Sequence, residues 1–221
     1  MNCESASKCR VTAFMTSSLG KKFTVGAAGL LLCGFLLVHL AGNMFLFVGE
    51  GAFNHYAELL AHNELLPLAE AVLALLFIAH IVFAIKVRFE NAGARPVAYE
   101  SYDDKGGRTM GSKSMSYTAA LVLLFVIVHL KTFRFGDDKD GLYKLVVDWF
   151  HNPLYAGFYV VALAGLGLHL SHGFQSGFQT LGLNHPKYTP IIRKLSIAFA
   201  LLIFLGFASM PIYFGFLGGP R

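Results

Sequence analysis

Four histidines stand inside the apolar stretches of this 221-residue sequence, and their side chains are the ones best suited to chemistry. His39, His80, His129 and His169 each lie in a different one of the first four long apolar segments. An imidazole binds metals and carries protons, and an ionisable group inside a membrane is costly unless it has a partner or a function. Because there are four such groups rather than one, we expect each to have a partner and the set to be functional.

The segments that carry these histidines have the length and composition of membrane spans. The chain is 55% apolar and only 14% charged, whereas a soluble domain carries about 25% charged residues. A run of roughly 20 mainly apolar residues crosses a bilayer as an α-helix. The sequence therefore predicts an all-α integral membrane protein, in which residues 1–221 form a single membrane domain. The predicted spans cover about residues 23–48, 66–87, 115–133, 153–175 and 195–217.

The distribution of Lys and Arg predicts the orientation of the spans. With a cytoplasmic N-terminus, 13 of the 18 basic residues lie on the cytoplasmic side, and the loop between the first two spans contains neither Lys nor Arg. This asymmetry is that of the positive-inside rule. The net charge of +5 thus reflects membrane orientation, and we expect no nucleic acid partner.

The depth of each histidine follows from this topology at about 1.5 Å per residue. His39 and His129 fall in the outer half of the membrane, and His80 and His169 fall in the inner half. The sequence thus predicts two stacked pairs, His39 with His129 and His80 with His169. Spacing alone leaves the last ligand open between His169 and His172, which lies one helical turn further along.

Two imidazoles that face each other in apolar surroundings are suitable axial ligands for a haem iron that transfers electrons. Zinc or copper would need three or four ligands at one depth, and the sequence places no carboxylate or thiolate there. The four histidines therefore predict two haem b groups. The alternative is a haem-free transporter or scaffold whose histidines relay protons.

The connections between the spans also contain apolar residues at helical spacing. Apolar residues recur at helical spacing from Phe53 to Ala61 and from Leu142 to Phe150, which predicts two short helices lying in the membrane interface. The segment Glu90–Ser112 is rich in Gly, Tyr and charge, and it is predicted as a cytoplasmic loop that meets a soluble partner.

The strings around the histidines, taken in order, resemble one family: the single-chain, two-haem cytochrome b membrane anchor of succinate:menaquinone reductases and menaquinol:fumarate reductases. The likeness covers nearly the whole chain, from Ser17 to the fifth span, with one ligand on each of the first four spans. In this family the first His of the last string is the ligand, which favours His169 over His172. The strings are VHLAGNMF at His39, FIAHIVFA at His80, VHL at His129, and NPLYAGFYVV followed by HLSHG at His169.

This resemblance implies a multi-pass subunit of an oxidoreductase in the bacterial cytoplasmic membrane, active in anaerobic respiration. It implies a flavoprotein subunit with FAD and an iron–sulfur subunit on the cytoplasmic face. Electrons would pass between the iron–sulfur clusters, the two haems and menaquinone, and the anchor would carry no dicarboxylate chemistry. The nearest alternative is the cytochrome b subunit of a nitrate reductase or hydrogenase, but those place several ligands on few helices.

The resemblance further implies a quinone site near the outer haem. Menaquinol oxidation releases two protons, and the family pattern places a carboxylate that accepts one at Glu58, with Glu64 as the next candidate. Some relatives carry a proton-conducting Glu where this chain has Gly167. Haem propionates are expected to contact polar residues near the helix ends, namely Ser17, Ser18, Lys21, Lys22, Arg193 and Lys194, with His172 as a further candidate.

Overall fold

The computed structural model describes residues 13–14, 16–93 and 110–219, and the regular structure within these ranges is entirely helical. Five helices are long and apolar enough to cross a membrane, as the sequence predicts. Two short helices lie in connections between them, and these confirm the predicted interfacial helices as elements. In chain order the helices are α1 (Ser18–Asn43), α2 (Glu50–Ala61), α3 (Leu66–Gly93), α4 (Met110–His129), α5 (Leu142–Phe150), α6 (Pro153–Thr180) and α7 (Thr189–Phe216).

Local sequence signals set the helix starts. The Ser17 hydroxyl accepts a hydrogen bond from the Gly20 amide at 3.0 Å, which caps α1. The Asn152 side chain caps α6 in the same way, directly before Pro153. The short helices α2 and α5 both begin after a glycine with positive φ, Gly49 at 124° and Gly141 at 97°, a backbone conformation that favours glycine.

Two of the long helices change pitch where they end. The chain continues from α1 into a 3₁₀ turn at Met44–Phe47, and from α4 into a π-helical turn at Leu130–Arg134. Both turns lie at the end of the bundle that carries α2 and α5, which we call the short-helix end. The opposite end, where α1 begins, we call the amino-terminal end.

At the amino-terminal end, the helices extend beyond the predicted spans. Helix α3 continues to Gly93 and α4 begins at Met110, so the prediction of a loop over all of Glu90–Ser112 is wrong at both margins. Charged residues end the apolar run there but not the helix, because Lys, Arg and Glu are themselves good helix formers. The middle of that predicted loop, residues 94–109, lies outside the described residues.

Helix α6 is the central element of the bundle. It packs against α1, α4 and α7, and α1 in turn packs against α3. Glycines permit the close crossings: a Cβ on Gly111 of α4 would lie 2.6 Å from Ser171 Oγ and 3.0 Å from the Leu168 carbonyl oxygen on α6. Small residues at helix crossings are the main way in which membrane helices approach each other.

Helix α3 differs from the others because none of its residues is buried. It packs chiefly on α1, and polar contacts hold it near both ends. Lys21 of α1 forms an ion pair with Glu90, and Arg134 donates two hydrogen bonds to the Glu70 carboxylate at 2.7 and 3.0 Å. The attachment of α3 therefore rests on a few polar contacts and one helix face.

A buried apolar cluster extends from the middle of the bundle to the short-helix end, where it includes Phe53, Val147, Phe150 and Phe214. A hydrogen bond joins the two short helices: the Tyr143 amide of α5 donates to the Asn54 side-chain oxygen of α2 at 2.9 Å. The cluster reaches the first histidine pair through Phe133, which packs against it and whose ring centre lies 5.6 Å from that of His129.

Candidate functional site

The first predicted pair is brought together in the structure. The ring centres of His39 and His129 are 5.8 Å apart, and the two rings are nearly perpendicular. The histidines come from α1 and α4, whose backbones do not pack extensively on each other within the described residues, while α6 packs against both. The two side chains thus meet across the interior of the bundle.

The second predicted pair is also brought together. The ring centres of His80 on α3 and His169 on α6 are 6.4 Å apart. These two helices likewise are not extensive backbone neighbours where the structure describes them. The four histidines therefore form two contacts, each joining two helices that pack on a common third helix.

The orientation of the His80 ring is set by a backbone group. Its Nδ1 lies 3.1 Å from the Val25 carbonyl oxygen, and because a carbonyl only accepts, this contact places the proton on Nδ1 and leaves Nε2 free to bind a metal. Gly29 permits the approach of α1, since a Cβ there would lie 3.1 Å from His80 Cε1.

Aromatic rings enclose the His39–His129 pair. Phe35 stacks on His39 with ring centres 5.2 Å apart, and Phe207 lies against the same ring at 5.5 Å. Phe125 and Phe133 flank His129, each at 5.6 Å. The pair is thus surrounded largely by aromatic side chains.

Two hydrogen-bonded tyrosine hydroxyls on α6, those of Tyr155 and Tyr159, lead to His129. We call these two hydroxyls the hydroxyl string. Tyr159 Oη lies 3.3 Å from His129 Nδ1, and Tyr155 Oη donates to Tyr159 Oη at 3.0 Å. Sequence reasoning missed both tyrosines. Their spacing of four residues places them on one face of α6, but only the packing of α4 on α6 shows that this face meets His129.

The spacing of both pairs fits axial ligation of a haem iron. With metal–nitrogen bonds of about 2 Å, two imidazoles on opposite sides of one iron hold their ring centres about 6 Å apart. The observed separations are 5.8 and 6.4 Å. In addition, Nδ1 of His169 is buried without a hydrogen-bond partner among the described residues.

The donor set fits haem better than a bare metal ion. No group of three or more His, Cys, Asp or Glu side chains that could hold an ion occurs in residues 13–14, 16–93 and 110–219. A haem needs only two protein ligands, because the macrocycle supplies the remaining four.

The predicted propionate contacts all lie at the amino-terminal end, but their settings differ. Ser17 is already engaged, since its hydroxyl caps α1 and donates to the Phe14 carbonyl at 2.6 Å, and Lys21 is paired with Glu90. His172 is half-buried next to Gly111 at the α4–α6 crossing. The remaining candidates, Ser18, Lys22, Arg193 and Lys194, are exposed.

The two predicted proton acceptors lie at the short-helix end. Glu58 belongs to α2 and Glu64 to the turn before α3, and both side chains are exposed. The Glu58 carbonyl, rather than its carboxylate, accepts a hydrogen bond from the His62 ring at 2.8 Å. Their roles stay predictions.

Comparisons of the chain with models of protein families, with curated proteins and with solved structures find no match. What the molecule does must therefore be inferred from its own histidine pairs and from the helices that hold them.

Proposed function

We propose that this chain is the membrane anchor and electron-transfer subunit of a succinate:quinone or menaquinol:fumarate oxidoreductase, and that it carries two b haems. One observation carries the proposal: two histidine pairs, each joining two different helices, have the ring spacing that axial ligation of one iron requires. The ordered likeness of the surrounding strings to the two-haem anchor family supports the same assignment.

The residues of the chain have separate tasks in this proposal. His39 and His129 hold one haem and His80 and His169 hold the other, while the Val25 carbonyl and the Tyr159 hydroxyl orient one imidazole of each pair. A bound haem would supply one-electron transfer, and with two histidine ligands it would have no open position for oxygen chemistry. Aromatic side chains surround the first pair.

The charges at the two ends support the proposed partners. Basic side chains collect at the amino-terminal end, among them Lys22, Arg193 and Lys194, which agrees with a cytoplasmic location in a bacterial inner membrane. The iron–sulfur and flavoprotein subunits would dock there. At the short-helix end, Glu58 and Glu64 are exposed carboxylates that can accept protons released by menaquinol.

The haem content of the purified chain tests the proposal. We expect two b haems per chain in the reduced-minus-oxidised spectrum, and one fewer in His80→Ala and in His129→Ala. His55→Ala and His185→Ala replace exposed histidines and should retain both haems. A chain that binds no haem when it is made in a haem-replete cell would contradict the proposal.

The proteins that copurify with the chain distinguish the proposed subunit from the cytochrome b subunit of another respiratory complex. Copurification of a flavoprotein and an iron–sulfur subunit with fumarate reductase activity supports the proposed complex, whereas a molybdenum or nickel enzyme points to the nitrate reductase or hydrogenase type.

A haem-free proton relay is the second candidate, and the hydroxyl string favours it. Tyr155, Tyr159 and His129 form a hydrogen-bonded series inside the bundle, and such series conduct protons in membrane proteins. This candidate predicts proton flux in vesicles and no Soret absorption.

A further inference from the structure

Helix α7 contains no histidine, yet it packs along α6 and contacts that helix through a polar side chain. Ser196 of α7 is fully buried, with 0% of its surface exposed. Its hydroxyl oxygen lies 2.6 Å from the Ser171 carbonyl oxygen and 3.3 Å from that of Leu170, both on α6. A hydroxyl has one proton to donate, and the nearer acceptor is Ser171. Helix α7 is therefore joined to α6 directly after His169.

The acceptor of this hydrogen bond is unusual for a serine inside a helix. Such hydroxyls commonly donate to a carbonyl three or four residues earlier in their own helix. Thr118, another buried polar residue, bonds in this way, with carbonyls of α4 at 3.1 Å. Ser209 of α7 also does so, since it donates to the Gly206 carbonyl at 2.6 Å. Ser196 instead donates to another helix, so its hydrogen bond connects two elements.

The turn of α6 that accepts this bond is also fixed by α4. A Cβ on Gly111 of α4 would lie 3.0 Å from the Leu168 carbonyl oxygen, so the two backbones are in close contact there. The Ser171 hydroxyl donates to the same Leu168 carbonyl at 2.7 Å. The α6 backbone from Leu168 to Ser171, which includes His169, is thus placed by contacts with two neighbouring helices.

The imidazole of His169 has no polar contact of this kind. Its Nδ1 is buried and has no hydrogen-bond partner in the part of the chain that the structure describes. The placement of the His169 ring therefore depends on the backbone that carries it. In the other three histidines of the two pairs, Nδ1 lies next to a polar group: the Val25 carbonyl oxygen for His80 at 3.1 Å, the Tyr159 hydroxyl for His129 at 3.3 Å, and the Asn43 side-chain nitrogen for His39 at 3.4 Å.

On the basis of the proposed function, we propose that Ser196 is a positioning residue for His169. Its hydroxyl fixes the α6 turn that presents the imidazole, and so it sets the orientation of this ring toward that of His80, whose plane is inclined to it by 76°. The spectroscopic and redox properties of a haem respond to how its axial ligands are held. Ser196 thus affects one of the two haem sites, and it does so through His169.

Ser196→Ala tests this role, because it removes the donor while the α6 carbonyls keep their backbone amide partners. In the purified full-length chain, we expect both haems to be retained and one of the two low-spin ferric signals in the EPR spectrum to shift. At a fixed potential, the reduced-to-oxidised ratio of that haem should change at least threefold. Ser196→Cys, which keeps a weaker donor, should give a smaller change in the same direction. Ser209→Ala is the matched control on the same helix and should leave both signals in place.

Single-site variants identify the haem that responds. In His129→Ala, which keeps only the His80–His169 site, Ser196→Ala should still shift the remaining signal. In His80→Ala, which keeps only the other site, Ser196→Ala should have no effect. Two signals unmoved by Ser196→Ala, an equal shift in Ser209→Ala, or a shift in the His80→Ala chain would overturn the assignment.

Amide hydrogen exchange separates this inference from the proposed function, because it needs no haem. A chain that binds no haem would refute the proposed function. In that chain, exchange at residues 170–175 should still be at least fivefold faster in Ser196→Ala than in Ser209→Ala, and equal rates would show that Ser196 does not fix this turn. A chain that keeps two haems whose signals do not change in Ser196→Ala would refute only the role of Ser196.

Discussion

At the scale of single residues, the two histidine pairs are oriented in different ways. His80 is held by a backbone carbonyl, that of Val25, which no substitution removes. His129 instead contacts the side-chain hydroxyl of Tyr159. The orientation of the His80 ring can therefore be altered only through the residues around it, whereas that of the His129 ring can be altered by removing the Tyr159 hydroxyl oxygen.

Gly29→Leu tests the approach of α1 to His80. A Cβ at this position would lie 3.1 Å from His80 Cε1, so a leucine must displace the imidazole from the Val25 carbonyl. We expect the purified variant to lose one of two b haems, as measured by the haem-to-protein ratio. Gly34→Leu is the matched control, because nothing lies within 4 Å of a Cβ there. Retention of both haems in Gly29→Leu would count against the assignment of His80.

Tyr159→Phe tests the hydroxyl string. Tyr159 is only 4% exposed, so its loss leaves buried hydrogen-bonding groups on His129 and Tyr155 without this partner, at a cost of about 1–3 kcal/mol. The free energy of unfolding, measured by denaturant titration in mixed micelles, should fall accordingly. Tyr155→Phe and the double variant complete a cycle in which the double change costs less than the sum of the single ones. Additive losses would show that the string does not act as a unit.

At the scale of helices, glycine positions set how closely the spans cross. Gly111 brings α4 against the backbone of α6, while Gly157 on α6 has open space around the position of a Cβ. The same substitution therefore has different consequences at the two sites.

We predict that Gly111→Val lowers the free energy of unfolding by about 2 kcal/mol, because the added methyl groups must push α4 away from Ser171 and the Leu168 carbonyl. Gly157→Val should have an effect of at most about 0.5 kcal/mol. Both values are obtained by denaturant titration under the same detergent conditions. Equal losses in the two variants would indicate that the crossing is not tight.

The local stability of the start of α5 depends weakly on pH. The hydrogen bond from Lys144 to Asp140 lowers the pKa of the Asp140 carboxyl below its ordinary value of 3.8. Because the folded pKa is the lower one, the stabilisation is full above the ordinary value and is lost as the pH falls through the folded pKa. Amide exchange at residues 141–146, corrected for intrinsic rates, should speed up only in this acidic range. Asp140→Asn should remove this dependence, and an unchanged profile in that variant would contradict the assignment.

At the scale of the whole molecule, apolar runs and histidine depth predict much of the architecture. The five spans follow from run length, and the two pairs follow from counting residues along antiparallel helices. The helix ends at Gly93 and Met110 do not follow, because charge ends an apolar run without ending a helix. The contact of Tyr159 with His129 does not follow either, because it arises where two helices distant in sequence meet.

If the five long apolar helices span a membrane, the two ends of the bundle lie on opposite sides of it. In a variant without the three native cysteines, Lys139→Cys should react with an impermeant maleimide added to intact cells. Lys187→Cys should react only after the cells are opened. The opposite pattern would reverse the proposed orientation, and labelling of both sites in intact cells would exclude a membrane barrier between them.

The exposed surface of α3 bears on how the sequence can change during evolution. Since none of its residues is buried in the described structure, one apolar side chain can replace another over most of this helix without altering a packed interior. Only its polar contact points, Glu70, His80 and Glu90, are tied to partners on other helices. Among related chains, the amino-acid sequence of α3 should therefore vary more than that of α6, at every position of α3 except those three.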